Sequence, residues 1–169
     1  LEVGIDGWSP FSPGDADASS LPFAAVEYTF CNTSDSPVEA VYYFSAFNFM
    51  KLDENASVQR THGGFLFLQP GSEDAPWKEG ACCISAQVLN HSNEDNRTDA
   101  VNVDLAWFRG GWFDPLTQQW NAISRGESME KSYPDGGTSA GATLSLPLFL
   151  LPGEEKTVRL SFCWYVPKT

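Results

Sequence analysis

Apolar side chains in this chain recur at every second residue, and this period constrains the fold more than any other sequence feature. Val26, Tyr28 and Phe30 alternate with Glu27, Thr29 and Cys31, and a turn-forming cluster follows at 32–37. Alternation places successive side chains on opposite faces of a strand, whereas an amphipathic helix needs a repeat of about 3.6 residues. Since no long stretch carries the helical repeat, the pattern predicts an all-β protein with little helix, none longer than a turn or two.

Eight segments carry strand signals and are separated by turn-forming residues. They are Val26–Cys31, Val38–Phe49, Gly64–Gln69, Ala81–Leu89, Val101–Trp107, Asn121–Arg125, Thr143–Phe149 and Thr157–Val166. Val38–Phe49 is dense in aromatic and β-branched residues on both faces, which predicts a central strand that is covered on both sides. Ala81–Leu89 and Val101–Trp107 are expected to form either a hairpin or a crossing between sheets. About eight or more strands in this order predict a two-sheet antiparallel β-sandwich.

The composition limits the classes of protein to which this chain can belong. The chain has 169 residues, which suits a single domain with its own hydrophobic core. Aromatic residues make up 14% and charged residues 19%, so the chain is expected to fold rather than to stay disordered. The net charge of −12 argues against binding to the phosphate backbone of nucleic acids. The most apolar segment, Leu144–Leu151, is too short to span a bilayer.

The four cysteines are Cys31, Cys82, Cys83 and Cys163, and their spacing is not typical of a zinc site. Cys82 and Cys83 are neighbours on a predicted strand and point to opposite faces, so they are not expected to bridge each other. Buried free thiols are the favoured interpretation. A Cys31–Cys163 bridge between the first and last strands stays open at this point.

Two short motifs suggest chemistry but lack the context that the chemistry needs. Gly137–Gly141 reads GTSAG and matches the nucleophile elbow of hydrolases, yet a β-like segment follows Ser139 where a helix is required. Asp15 and Asp17 match the start of a calcium-binding loop, but the glycine and glutamate that such a loop needs are missing. Asp15 and Asp17 remain candidates for another kind of cation site, although bonds to local backbone amides are favoured. No residue is nominated as catalytic, and no cofactor is predicted.

An aromatic cluster over residues 107–120, WFRGGWFDPLTQQW, is the segment best suited to contact a partner. Trp112, Phe113 and Trp120 lie around glycines and a proline in a loop predicted after the Val101–Trp107 strand. Its main part is Arg109–Gln119, and Trp120 stands at its end. Exposed rings of this kind could stack on the C–H faces of sugars. The favoured interpretation is that they dock on a neighbouring domain or cover an end of the sandwich.

Five sequence blocks occur in order along nearly the whole chain and carry a family resemblance. They are WSPFSPGDADASSLP at Trp8–Pro22, YTFCNT at Tyr28–Thr33, PVEA at Pro37–Ala40, LLPGEEKTV at Leu150–Val158 and WYVP at Trp164–Pro167. Together they resemble the amino-terminal β-sandwich of glycoside hydrolase family 116, which includes the bile-acid, or non-lysosomal, glucosylceramidases.

The resemblance implies a domain whose catalytic partner lies elsewhere. In that family the sandwich precedes an (α/α)6 barrel, which carries the carboxylates of a retaining β-glycosidase. Residues 1–169 are then expected to be one non-catalytic domain of a longer chain, packing on and supporting the catalytic domain. This hypothesis predicts an exposed apolar patch on the isolated domain. The alternatives are an independent carbohydrate-binding module that uses Trp112 or Trp120, and an adhesion-type sandwich without a ligand.

Overall fold

Two antiparallel sheets pack face to face in a computed structural model, which describes residues 1–89, 101–127, 130–135 and 138–167. The strands in these ranges are β1 Glu2–Trp8, β2 Phe23–Cys31, β3 Val38–Phe47, β4 Ser57–Thr61, β5 Gly64–Gln69, β6 Gly80–Leu89, β7 Asn102–Asp104, β8 Gly141–Leu150 and β9 Glu155–Tyr165. The helices are α1 Ala16–Ser19 and α2 Pro115–Ile123, with a 3₁₀ turn at Pro76–Lys78. This architecture confirms the predicted all-β sandwich.

The larger sheet has the strand order β1-β2-β9-β6-β5-β4, and the smaller sheet has the order β3-β8-β7. The last strand, β9, lies between β2 and β6, so it connects the amino-terminal third of the chain to the middle. Strands β6 and β7 belong to different sheets, which confirms the crossing and excludes the hairpin. The residues that join them, 90–100, lie outside the described ranges.

The core forms where the inward faces of the two sheets meet. The alternating leucines of β8, at positions 144, 146, 148 and 150, are buried and pack against apolar residues of β5, β6 and β9. Aromatic pairs reinforce the contact between sheets: the ring centroids of Tyr28 and Tyr42 are 5.1 Å apart, and those of Phe44 and Phe162 are 5.6 Å apart. The alternation in the sequence therefore marks the buried face correctly.

The prediction that Val38–Phe49 forms a central strand is wrong. Within the described residues β3 pairs only with β8 and lies at the edge of the smaller sheet. Its inner face contacts the larger sheet through Tyr42, while Tyr43 and Ser45 on its outer face lie beside α2. An edge strand covered by a helix is apolar on both faces, so its composition resembles that of a central strand.

The prediction of a strand at Asn121–Arg125 is also wrong, because residues 121–123 form the last turn of α2. This helix has nine residues and is longer than the turn or two that the sequence led us to expect. It begins at Pro115, so the loop predicted over Arg109–Gln119 ends earlier than expected. Strands β1 and β4 were not predicted, and only Asn102–Asp104 of the Val101–Trp107 segment pairs in a sheet.

The cysteines are free thiols, and the strand register excludes a Cys31–Cys163 bridge. Across β2 and β9, Phe23 faces Cys163 and Cys31 faces Glu155. The two cysteines therefore lie at opposite ends of the paired strands, about 26 Å apart at 3.3 Å per residue. The prediction of buried thiols is right for Cys82 and wrong for the exposed Cys163.

Pro147 lies in the middle of β8 without disrupting the pairing to β3. The amide of Asn48 donates to the carbonyl of Ala140, so even-numbered residues of β8 direct their backbone groups toward β3. The backbone groups of odd-numbered β8 residues point to the opposite side, where β7 lies. The last described pair between β8 and β7 is Ser145 with Asn102. The missing amide of Pro147 therefore falls beyond that pair.

Candidate functional site

Helix α2 is positioned by its own first turn and by the outer face of the smaller sheet. The Asp114 carboxylate accepts hydrogen bonds from the Thr117 amide at 2.8 Å and the Thr117 hydroxyl at 3.0 Å, and Pro115 occupies the first helical position. This combination starts a helix because it satisfies free amides and needs no hydrogen at the proline nitrogen. Gln119 and Ala122 are buried, so this side of the helix faces the sandwich.

Trp107 anchors the segment that leads into α2. Its ring is 1% exposed, and its indole N–H donates to the Thr143 hydroxyl at 3.0 Å. The ring also makes an edge contact with Phe47, with centroids 5.3 Å apart. Gly141 makes room for this packing, since a Cβ there would lie 2.7 Å from Trp107 Cζ3. The base of the aromatic cluster is therefore fixed to the sandwich.

The rest of the cluster is exposed. The exposed fraction is 93% for Trp112, 61% for Phe113 and 65% for Trp120. We call these three residues together with Leu116, which is also exposed, the aromatic cap. Four large apolar side chains are thus uncovered within residues 112–120.

The structure places the predicted residues in two neighbouring environments. Trp112 and Phe113 lie in the loop, as predicted, and Phe113 makes an edge contact with Phe108 at 5.9 Å. Trp120 was predicted in a loop but lies on α2, where it lines a groove of about 370 Å³ with Tyr43 and Ser45. Proline and glycine content predicted the loop correctly but obscured the helix that follows it.

A second groove of about 930 Å³ has Pro115, the first residue of α2, in its lining. Its walls are Phe47, Phe108 and the segment around Thr138, and it is flanked by charged side chains. Arg109 lies over the Tyr133 ring at 3.2 Å from its centroid and forms an ion pair with Asp135 at 3.0 Å.

Asp53 contributes the most perturbed carboxylate of this groove. The buried Gln69 side chain, the Asn55 amide and the Lys78 ammonium donate to it at 3.0, 3.0 and 3.2 Å. These hydrogen bonds lower the pKa of Asp53 to about 2. No sequence pattern pointed to this group, because Gln69 and Lys78 lie 16 and 25 residues away along the chain.

The remaining sequence candidates have local structural roles. The Asp15 carboxylate caps α1 by accepting from the Ala18 amide at 2.9 Å, and Asp17 lies in the first turn of that helix. Among the described residues no group of three or more His, Cys, Asp and Glu side chains lies close enough together to hold a metal ion.

Ser139 has a structural environment that differs from a nucleophile elbow. It is 3% exposed, its hydroxyl accepts from the Trp107 amide at 3.3 Å, and strand β8 begins two residues later. A nucleophile elbow requires a strand before the serine and a helix after it. The first residue of the GTSAG motif, Gly137, lies outside the described ranges.

The comparisons with known proteins agree with the fold. No helix in the described parts of the chain is long and apolar enough to cross a membrane. No individual curated protein matches the chain. The sequence profile described as "beta-glucosidase 2, glycosyl-hydrolase family 116 N-term" matches residues 1–169, the whole chain. The chain therefore belongs to the family of amino-terminal domains of family 116 glycosyl hydrolases of the beta-glucosidase 2 type.

Proposed function

We propose that this chain is the non-catalytic β-sandwich of a family 116-like β-glycosidase, and that it packs on and supports a carboxy-terminal (α/α)6 catalytic domain of the same parent chain. The observation that carries the proposal is the exposure of the aromatic cap. The family assignment supports this choice of partner, because the matched family is described as an amino-terminal part of a family 116 glycosyl hydrolase.

The packing energetics support a docking role. A Trp or Phe side chain buries roughly 150 to 250 Å² when covered, and each Å² of apolar area contributes about 25 cal/mol. Interfaces between domains of one chain cover roughly 600 to 1,500 Å². Trp112, Phe113 and Trp120 would supply much of the apolar centre of such an interface, and Trp107 would hold it in place from below.

Oxidative footprinting tests the proposal directly. The isolated chain and the parent enzyme are exposed to hydroxyl radicals, and the oxidation of each tryptophan is measured by mass spectrometry. We expect Trp112 and Trp120 to be oxidised readily in the isolated chain and to be protected in the parent. Trp77 is the matched control, since it is 60% exposed and lies in the 3₁₀ turn, outside the aromatic cap.

Equal oxidation of Trp112 and Trp120 in both proteins would contradict docking through the aromatic cap. Protection of Trp77 to the same extent would indicate general shielding and would also count against it. A W112A/W120A parent enzyme should unfold its two domains in separate calorimetric transitions, whereas a W77A parent should keep the wild-type behaviour.

An independent carbohydrate-binding module is the second candidate function. The groove beside Phe47 and Phe108 favours it, because aromatic walls next to Asp53 and Arg109 combine C–H stacking with polar groups for hydroxyls. Titration of glucosides and β-linked oligosaccharides against the isolated chain, followed by tryptophan fluorescence, tests this role. Saturable quenching that F108A abolishes would support binding in this groove, and an unchanged spectrum would remove it.

A further inference from the structure

Cys83 and Cys163 face each other directly across two neighbouring strands. The register of β6 and β9 pairs Cys83 with Cys163, between the pairs Cys82–Trp164 and Ile84–Phe162. The two residues are 80 positions apart in the sequence, and nothing in the sequence pattern brings them together. Their proximity follows from the position of β9 between β2 and β6.

The pairing type places the two Cα atoms within disulfide range. The Trp164 amide donates to the carbonyl of Pro22, so the backbone groups of Trp164 point toward the β2 side. Those of Cys163 therefore point toward β6, which makes Cys83 and Cys163 a hydrogen-bonded pair. Such pairs have Cα atoms about 5.5 Å apart, inside the range of about 4.4 to 6.8 Å found in disulfides. Their Cβ atoms are also about 5.5 Å apart, so they must approach each other by about 1 Å for the bond to form.

Both side chains lie on the outer face of the larger sheet. Cys163 shares its face with Arg159, and Cys83 shares its face with the exposed Gln87, which pairs with Arg159. The Thr61 hydroxyl lies 3.8 Å from Cys83 Sγ, on the β4 side of β6, so the Cys83 side chain turns toward β9 when it reacts with Cys163. Cys163 is exposed and Cys83 is half-buried, so an oxidant reaches the first directly.

The other two cysteines cannot compete for this pairing. Cys82 is buried on the opposite face of β6, within the core cluster. Cys31 lies at the far end of β2, where its partner is Glu155. The structure therefore contains one pair of thiols that is both opposed and accessible among the four cysteines of the chain.

We propose that Cys83 and Cys163 are a modification site that closes into a disulfide when the chain meets a small disulfide oxidant such as oxidised glutathione. The Cys163 thiolate attacks one glutathione sulfur and releases the first glutathione thiolate, which leaves a mixed disulfide. The Cys83 thiolate then attacks the Cys163 sulfur and releases the second. The two protein protons pass to the two glutathione thiolates, so one oxidised glutathione is reduced to two thiols.

The local environment makes this reaction dependent on pH. Partial burial, together with the neighbouring Cys83, raises the pKa of Cys163. The reactive thiolate is therefore scarce near neutral pH, and the rate of closure should rise as pH increases above about 8. This dependence distinguishes attack by Cys163 from attack by a thiol with a lowered pKa.

Thiol counting and peptide mapping test the proposal. The reduced chain is incubated with excess oxidised glutathione, the remaining thiols are alkylated, and cross-linked peptides are identified by mass spectrometry. We expect the free thiols to fall from four to two and the cross-link to join Cys83 with Cys163. C83S should hold glutathione stably on Cys163, and C31S, the matched control, should close as the wild type does.

Three results would overturn the proposal. The first is four free thiols after prolonged incubation at pH 8.5. The second is a cross-link that includes Cys82 or joins two chains. The third is a wild-type chain that keeps glutathione on Cys163 as stably as C83S does.

Discussion

Asn32 is fully buried at the end of β2, and its side chain connects three segments. Its Nδ2 donates to the carbonyls of Ser36 and Leu150 at 2.9 and 3.1 Å, while its Oδ1 accepts from the amide and the hydroxyl of Ser34. The side-chain amide thus uses both hydrogens and both lone pairs. No hydrophobic pattern predicts such a residue, because its partners are set by the tertiary fold.

Asn32→Asp keeps the shape of the side chain but replaces its donor group with an oxygen that faces two carbonyls. We expect the free energy of unfolding to fall by about 3 kcal/mol, because buried acceptors lose their partners and a charge is placed beside them. Urea denaturation at pH 7 measures the change. Asn55→Asp is the control at an exposed position, where a change within about 0.5 kcal/mol is expected; equal midpoints for both variants would refute the role of Asn32.

Asp53 predicts a pH dependence of stability. Its pKa is about 2 in the folded chain and 3.8 for an unperturbed aspartate side chain, so the folded state favours the ionised form. The stabilisation is therefore complete above about pH 4 and is lost as pH falls toward about 2. Asp53→Asn should lower the urea midpoint at pH 6 and should lose less stability than the wild type between pH 4 and pH 2.

The control for Asp53 is the exposed Asp35. Asp35→Asn should follow the wild-type profile over the same pH range, since it removes a carboxylate without removing the contacts to Gln69 and Lys78. If the stability of Asp53→Asn and of the wild type changed equally with pH, the lowered pKa of Asp53 would be contradicted.

At the scale of secondary structure, α2 depends on the residue that caps its first turn. Asp114→Ala removes the acceptor of the Thr117 amide and should destabilise the chain by about 1 kcal/mol. Asp114→Asn keeps an oxygen at the same position and should lower the free energy of unfolding by only a few tenths of a kcal/mol. Thermal melts followed by tryptophan fluorescence measure both variants. The helix assignment fails if both variants melt at the same temperature as the wild type.

Most strands were predictable and α2 was not, for a physical reason that individual residues show. Gly64–Gln69 was predicted with its observed bounds because Phe65 and Phe67 alternate on a buried face. Helix α2 buries only one narrow side around Gln119 and Ala122, which is too short to produce a helical repeat. The usable signal was the pair Asp114-Pro115, a typical helix start.

The candidate site was also only partly predictable from the sequence. Trp112 and Phe113 were predictable as exposed loop residues, because glycines flank them and a proline follows. The groove beside them was not, since Lys51, Asp53 and Arg109 come together only after β3 and β8 pair. Side chains from distant segments meet through sheet topology, and local sequence patterns do not encode that topology.

At the scale of the whole molecule, we predict that the isolated chain does not hydrolyse glycosides. A retaining β-glycosidase needs two carboxyl groups about 5 to 5.5 Å apart in a shared cleft, and the family assignment places the chain in an amino-terminal part of the enzyme. Release of nitrophenolate from 4-nitrophenyl β-glucoside should match a buffer blank, while the parent enzyme turns the substrate over. Activity that co-purifies with the chain would disprove this.

Pro147 has a consequence for how copies of this protein meet in solution. A row of free amides on a long strand is a template on which foreign strands align and from which fibres grow. Because Pro147 has no amide hydrogen on the side of β8 facing away from β3, a strand that aligned there would find no donor at this position. We therefore expect Pro147 to make edge-to-edge pairing at this point of β8 less favourable.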